Sequence, residues 1–307
     1  MTRRTHSGEA SLLVATLLLL LVAVPGRAGA ATETGLAGTV FFLAHRDGGW
    51  GIWRMPAAGG AAPTPVRTGT TDTRDLDVTV DGRWLARSDS RGKLWLGPVA
   101  GPSEDRLASP RSGAEQPAFD AAGTRLAVVL FRAVPRDDAD LGLIELPLRH
   151  LRPLPAMEGL ENSPAFSADG HSLLFSRHLD GSRRPVRERL WRMRLPDGAA
   201  EAITSDDGSD SIDAVENPAG TLLVYSSNRL GSYDLWLSRP DGSQERALTR
   251  ESAYEAGPRF SPDGAWVVFE RQEAAGTALW LIRTDGGGCR RLTPPDWSCR
   301  RPVWTGP

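Results

Sequence analysis

Five histidines, His6, His45, His150, His171 and His178, could in principle carry acid–base or metal chemistry. No two stand at His-x-His spacing and no His-Glu-x-x-His run occurs, so the pattern that offers two imidazoles to one metal ion is missing. No Gly-x-Ser-x-Gly elbow is present to lift a serine nucleophile. Cys289 and Cys299 are even in number, which in an exported chain invites a disulfide. The first should open an outer strand and the second an inner one, so the bond stays open as an alternative. Asp206-Asp207-Gly208-Ser209-Asp210 offers oxygen ligands of the kind calcium takes, but without EF-hand spacing, and reads first as a turn.

A different set recurs at one position of a repeated segment. Arg74, Glu115, Asn162, Ser211, Ala256 and Arg300 each lie four residues before an aromatic residue or its equivalent, and Glu161, Asp210 and Glu255 lie one position further out. Acid and arginine on different sides of such a ring suit a peptide or protein segment more than a phosphate chain.

The segment that must position these residues is clearest at Phe260 to Asp285. Ser261-Pro262-Asp263-Gly264 is a turn, since Pro262 presets φ and Gly264 tolerates φ > 0. Ala265 to Glu270 and Ala278 to Ile282 are apolar runs bounded by turn signals, Asp285-Gly286 is a second turn, and Arg290 to Thr293 starts another strand. The unit is a four-stranded antiparallel meander.

The unit repeats. Its first-turn glycine recurs as Gly82, Gly123, Gly170, Gly220, Gly264 and Gly306, at intervals of 41 to 50 residues. A third-strand tryptophan keeps the same beat at Trp53, Trp95, Trp191, Trp236 and Trp280, and Gly142 takes its place once. A repeat of this spacing with four strands per unit predicts an all-β fold, a six-bladed β-propeller of four-stranded antiparallel blades. The first repeat lacks an innermost strand while Pro302-Val-Trp304 has no successor, so the C-terminal strand should complete blade one and close the ring. The tryptophans, together with Phe119, Phe166, Phe260 and Trp304, should pack blade against blade, and Asp81, Asp169 and Asp263 should bond their own turn backbone.

Arg3 and Arg4, an apolar run from Leu12 to Val24, and Ala28-Gly29-Ala30 form the three parts of a Sec-type signal peptide, with cleavage after Ala30. The run is shorter than the roughly 20 residues of a membrane span. The expected organisation is therefore a signal peptide over residues 1–30 and a single propeller domain over 31–307, in a periplasmic or secreted protein. Gly 33 and Pro 23 fit a chain of many hairpins, and a net charge of −2 points to neither nucleic acid nor an anionic membrane. Lys93 is the only lysine.

Pro164-Ala-Phe-Ser-Ala-Asp-Gly170, Pro258-Arg-Phe-Ser-Pro-Asp-Gly264, Tyr225-Ser-Ser-Asn-Arg229, Tyr233-Asp-Leu-Trp236 and Pro240-Asp-Gly242 leading to Leu248-Thr249 together resemble the propeller repeat of the TolB family. The match is strong in the last three repeats and degenerate in the first three. TolB itself carries an extra α/β domain before its propeller, for which there is no room between Ala31 and Gly38. The resemblance thus bears on fold and compartment more than on membership of the Tol–Pal system. A similar propeller gates prolyl-oligopeptidase-type peptidases, and propeller lyases set histidines around a channel metal, a feature the innermost strands here do not show.

The expected function is an exported, non-catalytic, monomeric propeller without cofactor that binds an envelope or extracellular protein or peptide at the channel mouth, through Arg74, Glu115, Asn162, Ser211 and Arg300. The competing class is a propeller lyase or hydrolase acting on an extracellular polymer. A third possibility is a structural protein whose partner is a second copy of itself.

Overall fold

The computed structural model describes residues 36–46, 48–68, 73–101, 105–107, 113–131, 139–146, 149–178 and 187–307. The signal peptide expected over residues 1–30 lies outside them. The described residues form 24 strands and no helix. In chain order these are β1 (Thr39–Arg46), β2 (Gly49–Pro56) and β3 (Thr64–Arg67), then β4 (Thr73–Val78), β5 (Trp84–Asp89), β6 (Leu94–Pro98) and β7 (Asp105–Arg106). Next come β8 (Ala114–Phe119), β9 (Arg125–Phe131), β10 (Ala139–Glu145) and β11 (His150–Pro153), followed by β12 (Leu160–Phe166), β13 (Ser172–His178), β14 (Glu188–Arg194) and β15 (Ala200–Ala202). The rest are β16 (Ser211–Glu216), β17 (Leu223–Ser227), β18 (Asp234–Ser238), β19 (Arg246–Ala247), β20 (Glu255–Phe260), β21 (Trp266–Glu273), β22 (Gly276–Arg283), β23 (Arg290–Arg291) and β24 (Ser298–Thr305).

The fold is an all-β propeller, but its strands do not form six separate sheets. There are four sheets of four strands, and one of eight that combines the runs β8–β11 and β12–β15. The junction is one parallel pairing, Ala139 with Leu160. It arises because the chain turns at Gly159, with φ 101°, and brings that residue's carbonyl to 3.5 Å from the Ala139 amide. Closure follows the expected route: β24 pairs antiparallel with β1, from Thr305 opposite Thr39 to Ser298 opposite His45. The leading strands β4, β8, β12, β16, β20 and β24 touch in succession and close on themselves.

The turns explain why the strands begin where they do. Ser261 donates to the Asp263 carboxylate, which accepts the Ala265 amide at 3.0 Å, while Ser261 Oγ accepts the Trp266 amide at 2.9 Å. Gly264, at φ 71°, occupies the left-handed position that any side chain would strain. Thr79 with Asp81 and Ser167 with Asp169 repeat the arrangement. Where the third residue is not an aspartate, the first compensates: Asp120 accepts the amides of Thr124 and Arg125, and Asn217 those of Thr221 and Leu222. Gly306 does not share the left-handed conformation of the other first-turn glycines.

Apolar clusters fill the spaces between successive runs. Phe42, Val268 and Trp304 join the first to the last, and Leu43, Val78 and Leu85 join the first to the second. Phe175, Leu141 and Met193 unite the two halves of the eight-stranded sheet. Four of the five third-strand tryptophans lie opposite second-strand aromatics, Phe42 with Trp53, Phe175 with Trp191, Tyr225 with Trp236 and Phe269 with Trp280, while Trp95 lies opposite Arg87. They are not plain core residues, for only Trp236 is buried and the others are half-buried. The remaining ring face is covered by arginine: Arg87, Arg177, Arg229 and Arg271 stack over Trp95, Trp191, Trp236 and Trp280 at 4.2 to 5.1 Å. At Gly142 the missing ring is replaced by Leu130 and Leu151, whose methyls would lie 2.8 and 3.1 Å from an added Cβ.

Candidate functional site at the channel mouth

The leading strands line the channel, and each carries an irregularity at the same height. Register against the second strand shifts between Thr73 and Asp75, Glu115 and Ala118, Asn162 and Ala165, Ile212 and Val215, and Ala256 and Arg259; β24 shows the same break against Phe41 and Leu43. The extra residue is Gln116, Ser163, Asp213, Gly257 or Arg301, at φ 50° to 58°. For the four that are not glycine this left-handed backbone costs on the order of 1–3 kcal/mol each.

Hydrogen bonds offset that strain and link strand to strand. Gln116 Oε1 accepts the Ser163 amide at 2.5 Å, and Ser163 Oγ donates to Asp213 Oδ1 at 2.6 Å. Asp213 Oδ2 accepts the Gly257 amide at 3.2 Å. The Arg301 amide donates to Glu270 Oε1 at 2.8 Å, and Arg301 Nε meets Asp75 Oδ1 at 2.9 Å. Ser88 Oγ donates to the other Asp75 oxygen. Together they enclose a constriction of about 30 Å³, room for about one water molecule. Burial pushes the Glu270 carboxyl up, with Arg301 opposing. Burial also works against the Arg301 charge, but Asp75 and Glu270 hold its guanidinium firmly protonated.

The channel-lining residues thus stand one or two places after those expected from the sequence. Counting back from the aromatics assumes an unbroken strand, and a bulge moves every earlier side chain by one. A signal was available: Gln116-Pro117, Ser163-Pro164, Gly257-Pro258 and Arg301-Pro302 each put proline inside a strand, where it is confined to edges and bulges.

The expected ring divides. Arg74, Glu115 and Arg300 come together with Trp50 and Asp75 around a polar cavity of about 430 Å³ at the end where the leading strands begin. Asn162 faces Glu188 instead, its Nδ2 3.3 Å from Oε1. Ser211, 2% exposed, bonds Ser227 and offers nothing to a ligand, and Ala256 is buried. Glu161 and Glu255 are buried beside Arg177 and Arg271. Asp210 lies between the Glu188 amide at 2.9 Å and the Tyr233 hydroxyl at 3.1 Å, with the exposed Tyr254 ring 4.9 Å from that of Tyr233. The mouth therefore has an arginine–tryptophan wall and a carboxylate–tyrosine wall. On the second, burial and the neighbouring Asp213 and Asp210 raise the Glu188 carboxyl, against the pull of the Asn162 amide.

At the opposite end, Phe119, Phe166, Phe260 and Trp304 line a cavity of about 310 Å³ with Asp77 and Arg259. Among the described residues no group of three His, Cys, Asp or Glu side chains converges to hold a metal ion. In the acidic loop, Asp207 accepts from Ser209, and Asp206 pairs with Arg187. Cys289 is exposed, Cys299 is buried, and both are free thiols.

Among solved structures, TolB from Acinetobacter baumannii superposes with a TM-score of 0.76 at 17% identity, covering 88% of this chain and 67% of that one. A chain of the nidogen/laminin complex gives 0.69 at 10% identity over 87% and 98% of the two chains. Oligogalacturonate lyase in complex with manganese gives 0.61 at 17% identity over 84% and 74%. At these identities the likeness is one of fold. No curated protein matches the chain in sequence. The TolB beta propeller domain model matches residues 83–306, well over half of the chain, and the chain belongs to that family.

Proposed function

We propose that this protein is a non-catalytic binding propeller that takes a protein or peptide segment at the mouth lined by Arg74, Glu115 and Arg300. One observation carries the reading: groups of both charges surround an open polar cavity of about 430 Å³ where the leading strands begin, while the channel beneath narrows to about 30 Å³. A segment can lie across the entrance, above a hydrogen-bonded belt that leaves room for about one water molecule. The channel carboxylates are already committed, Asp75 to Arg301 and Ser88, and Asp213 to Ser163 and the Gly257 amide. That leaves little free acid–base capacity. Protein binding is consistent with the nidogen/laminin relative, which was crystallised as a complex.

In this reading the eight-stranded sheet acts as two blades, giving a ring of six. The protein is exported to the periplasm or beyond as a monomer, and N-terminal sequencing of the exported form should begin at Ala31. The test of binding is a photo-reactive amino acid at Ser90, on the cavity wall, or at Gln244, on the outer surface, in protein exposed to its native surroundings. A discrete cross-linked partner from Ser90 alone supports the proposal. Equal labelling from both positions, or self-linkage only, overturns it.

A catalytic reading is favoured by one feature, the raised Glu270 carboxyl in the channel. If it holds, turnover of oligogalacturonate or peptide substrates should be detectable by mass spectrometry and abolished in Glu270→Gln.

A further inference from the structure

The polar cavity at the mouth holds an unusual excess of unused donors. Arg301 is spent on Asp75. The Arg300 guanidinium carbon sits over the Trp50 ring, 4.0 Å from its centre, and its Nε is buried without a hydrogen-bond partner. Among the described residues, no hydrogen bond or ion pair engages Arg74, which is exposed. Thr73 is 2% exposed, lines the same cavity, and its hydroxyl has no hydrogen-bond partner among the described residues. A buried hydroxyl left unmatched costs roughly 1–3 kcal/mol. Two guanidinium groups and a stranded hydroxyl around one opening are what an oxyanion would satisfy.

We infer that Thr73, Arg74 and Arg300, with Trp50 as the platform, form a carboxylate-binding clasp that takes an aspartate or glutamate side chain of a bound peptide segment. The inference rests on the binding function proposed above and specifies its chemistry. The contact with Trp50 holds the Arg300 guanidinium at the cavity wall, and a guanidinium so placed can form a bidentate pair with a planar carboxylate. Glu115 and Asp75 line the same cavity and disfavour a phosphate dianion more than a singly charged carboxylate. The far wall, with Glu188 and Asp210, opposes a polyuronate, whose every sugar carries a negative charge. A peptide can place an acid on one wall and a neutral or basic residue on the other. The crowding of Arg300 by burial, Arg301 and Arg74, which pushes its proton affinity down, agrees with a site awaiting negative charge.

The test is NMR titration of the mature protein, following the Trp50 indole N–H and the backbone amides of Thr73 to Asp75 and Arg300 to Arg301. The probes are the capped peptide Gly-Gly-Glu-Asp-Gly-Gly, its Gln-Asn counterpart, digalacturonate and inorganic phosphate, each to millimolar concentration. The expected result is saturable shifts with the acidic peptide only, weakened by salt, and an affinity lower by about tenfold or more in Arg300→Gln, as for a charge-assisted bond. Among the described residues the Arg300 side chain makes no hydrogen bond, and Arg300→Gln gives up only its stacking on Trp50, so the variant should still fold with a melting temperature a few degrees lower at most, and Arg74→Gln gives a second reading of the same loss. Equal binding of the amide peptide, no shifts with any probe, or stronger shifts with phosphate or digalacturonate would each overturn the clasp. The two proposals fail separately: a Ser90 cross-link that survives in the Arg74→Gln, Arg300→Gln double variant keeps the binding function and removes the clasp. Acidic-peptide binding without any cross-linked partner does the reverse.

Discussion

At the scale of single residues, the same side chain types serve opposite electrostatic ends. Asp81 and Asp169 are held low by the hydroxyls of Thr79 and Ser167 and by backbone amides. Asp77, at the far end of the channel, is pushed up to about 6 by burial, against the Phe119 amide and Arg259. An unfolded aspartate titrates near 3.9. Between about pH 4 and 6 the folded chain therefore binds more protons at Asp77 than the unfolded chain, so this residue's contribution falls as pH rises through that window. The turn aspartates act in the opposite sense: their stabilisation is present above about pH 3.9 and is lost as pH falls through their folded values. Asp77→Asn, which can still accept the Phe119 amide, should raise the melting temperature at pH 8 and lose that advantage near pH 4. Calorimetry across this range measures it, and an equal effect at both pH values would contradict the assignment.

At the scale of strands and turns, how much could be read in advance depended on which physical signal was local. The turn glycines, Ser261 with Asp263 and the tryptophan beat are set by a few adjacent residues, and they located the four-strand units and the closing role of the C-terminal strand. The bulges are also local, but a count at period two passes over them, so it stopped at Arg74, Glu115 and Arg300 and passed over their channel-facing neighbours Asp75, Gln116 and Arg301. Two features were not legible: the arginines stacked over Trp191 and Trp280, which reach diagonally across neighbouring strands of one hairpin, and the bridge from Ala139 to Leu160, which joins two separate runs. The strand-level prediction concerns β24, which brings Val303 and Trp304 into two apolar clusters. Removing Ser298 to Pro307 should cost more than the roughly 3–5 kcal/mol of one buried aromatic and bare the edge of β1 to aggregation. Urea denaturation of the shortened chain checks this, and an unchanged midpoint would contradict the closure.

At the scale of the whole molecule, the channel belt and the closing strand make stability a property of the circle rather than of any one sheet. Trp304 Nε1 donates to the Ala37 carbonyl at 3.1 Å, and Thr305 sits opposite Thr39, so the two ends of the described chain meet inside one sheet. The point at which the backbone is interrupted is then a matter of genetic convenience. A circular permutant, with Pro307 joined to Leu36 by a short glycine linker and new ends between Pro262 and Asp263, would break the neighbouring sheet at the corresponding turn. It should fold with a melting temperature close to that of the parent, and it would carry its free ends beside β20 and β21, where a tag or a fused domain could be hung at the end of the channel away from the arginine–tryptophan wall.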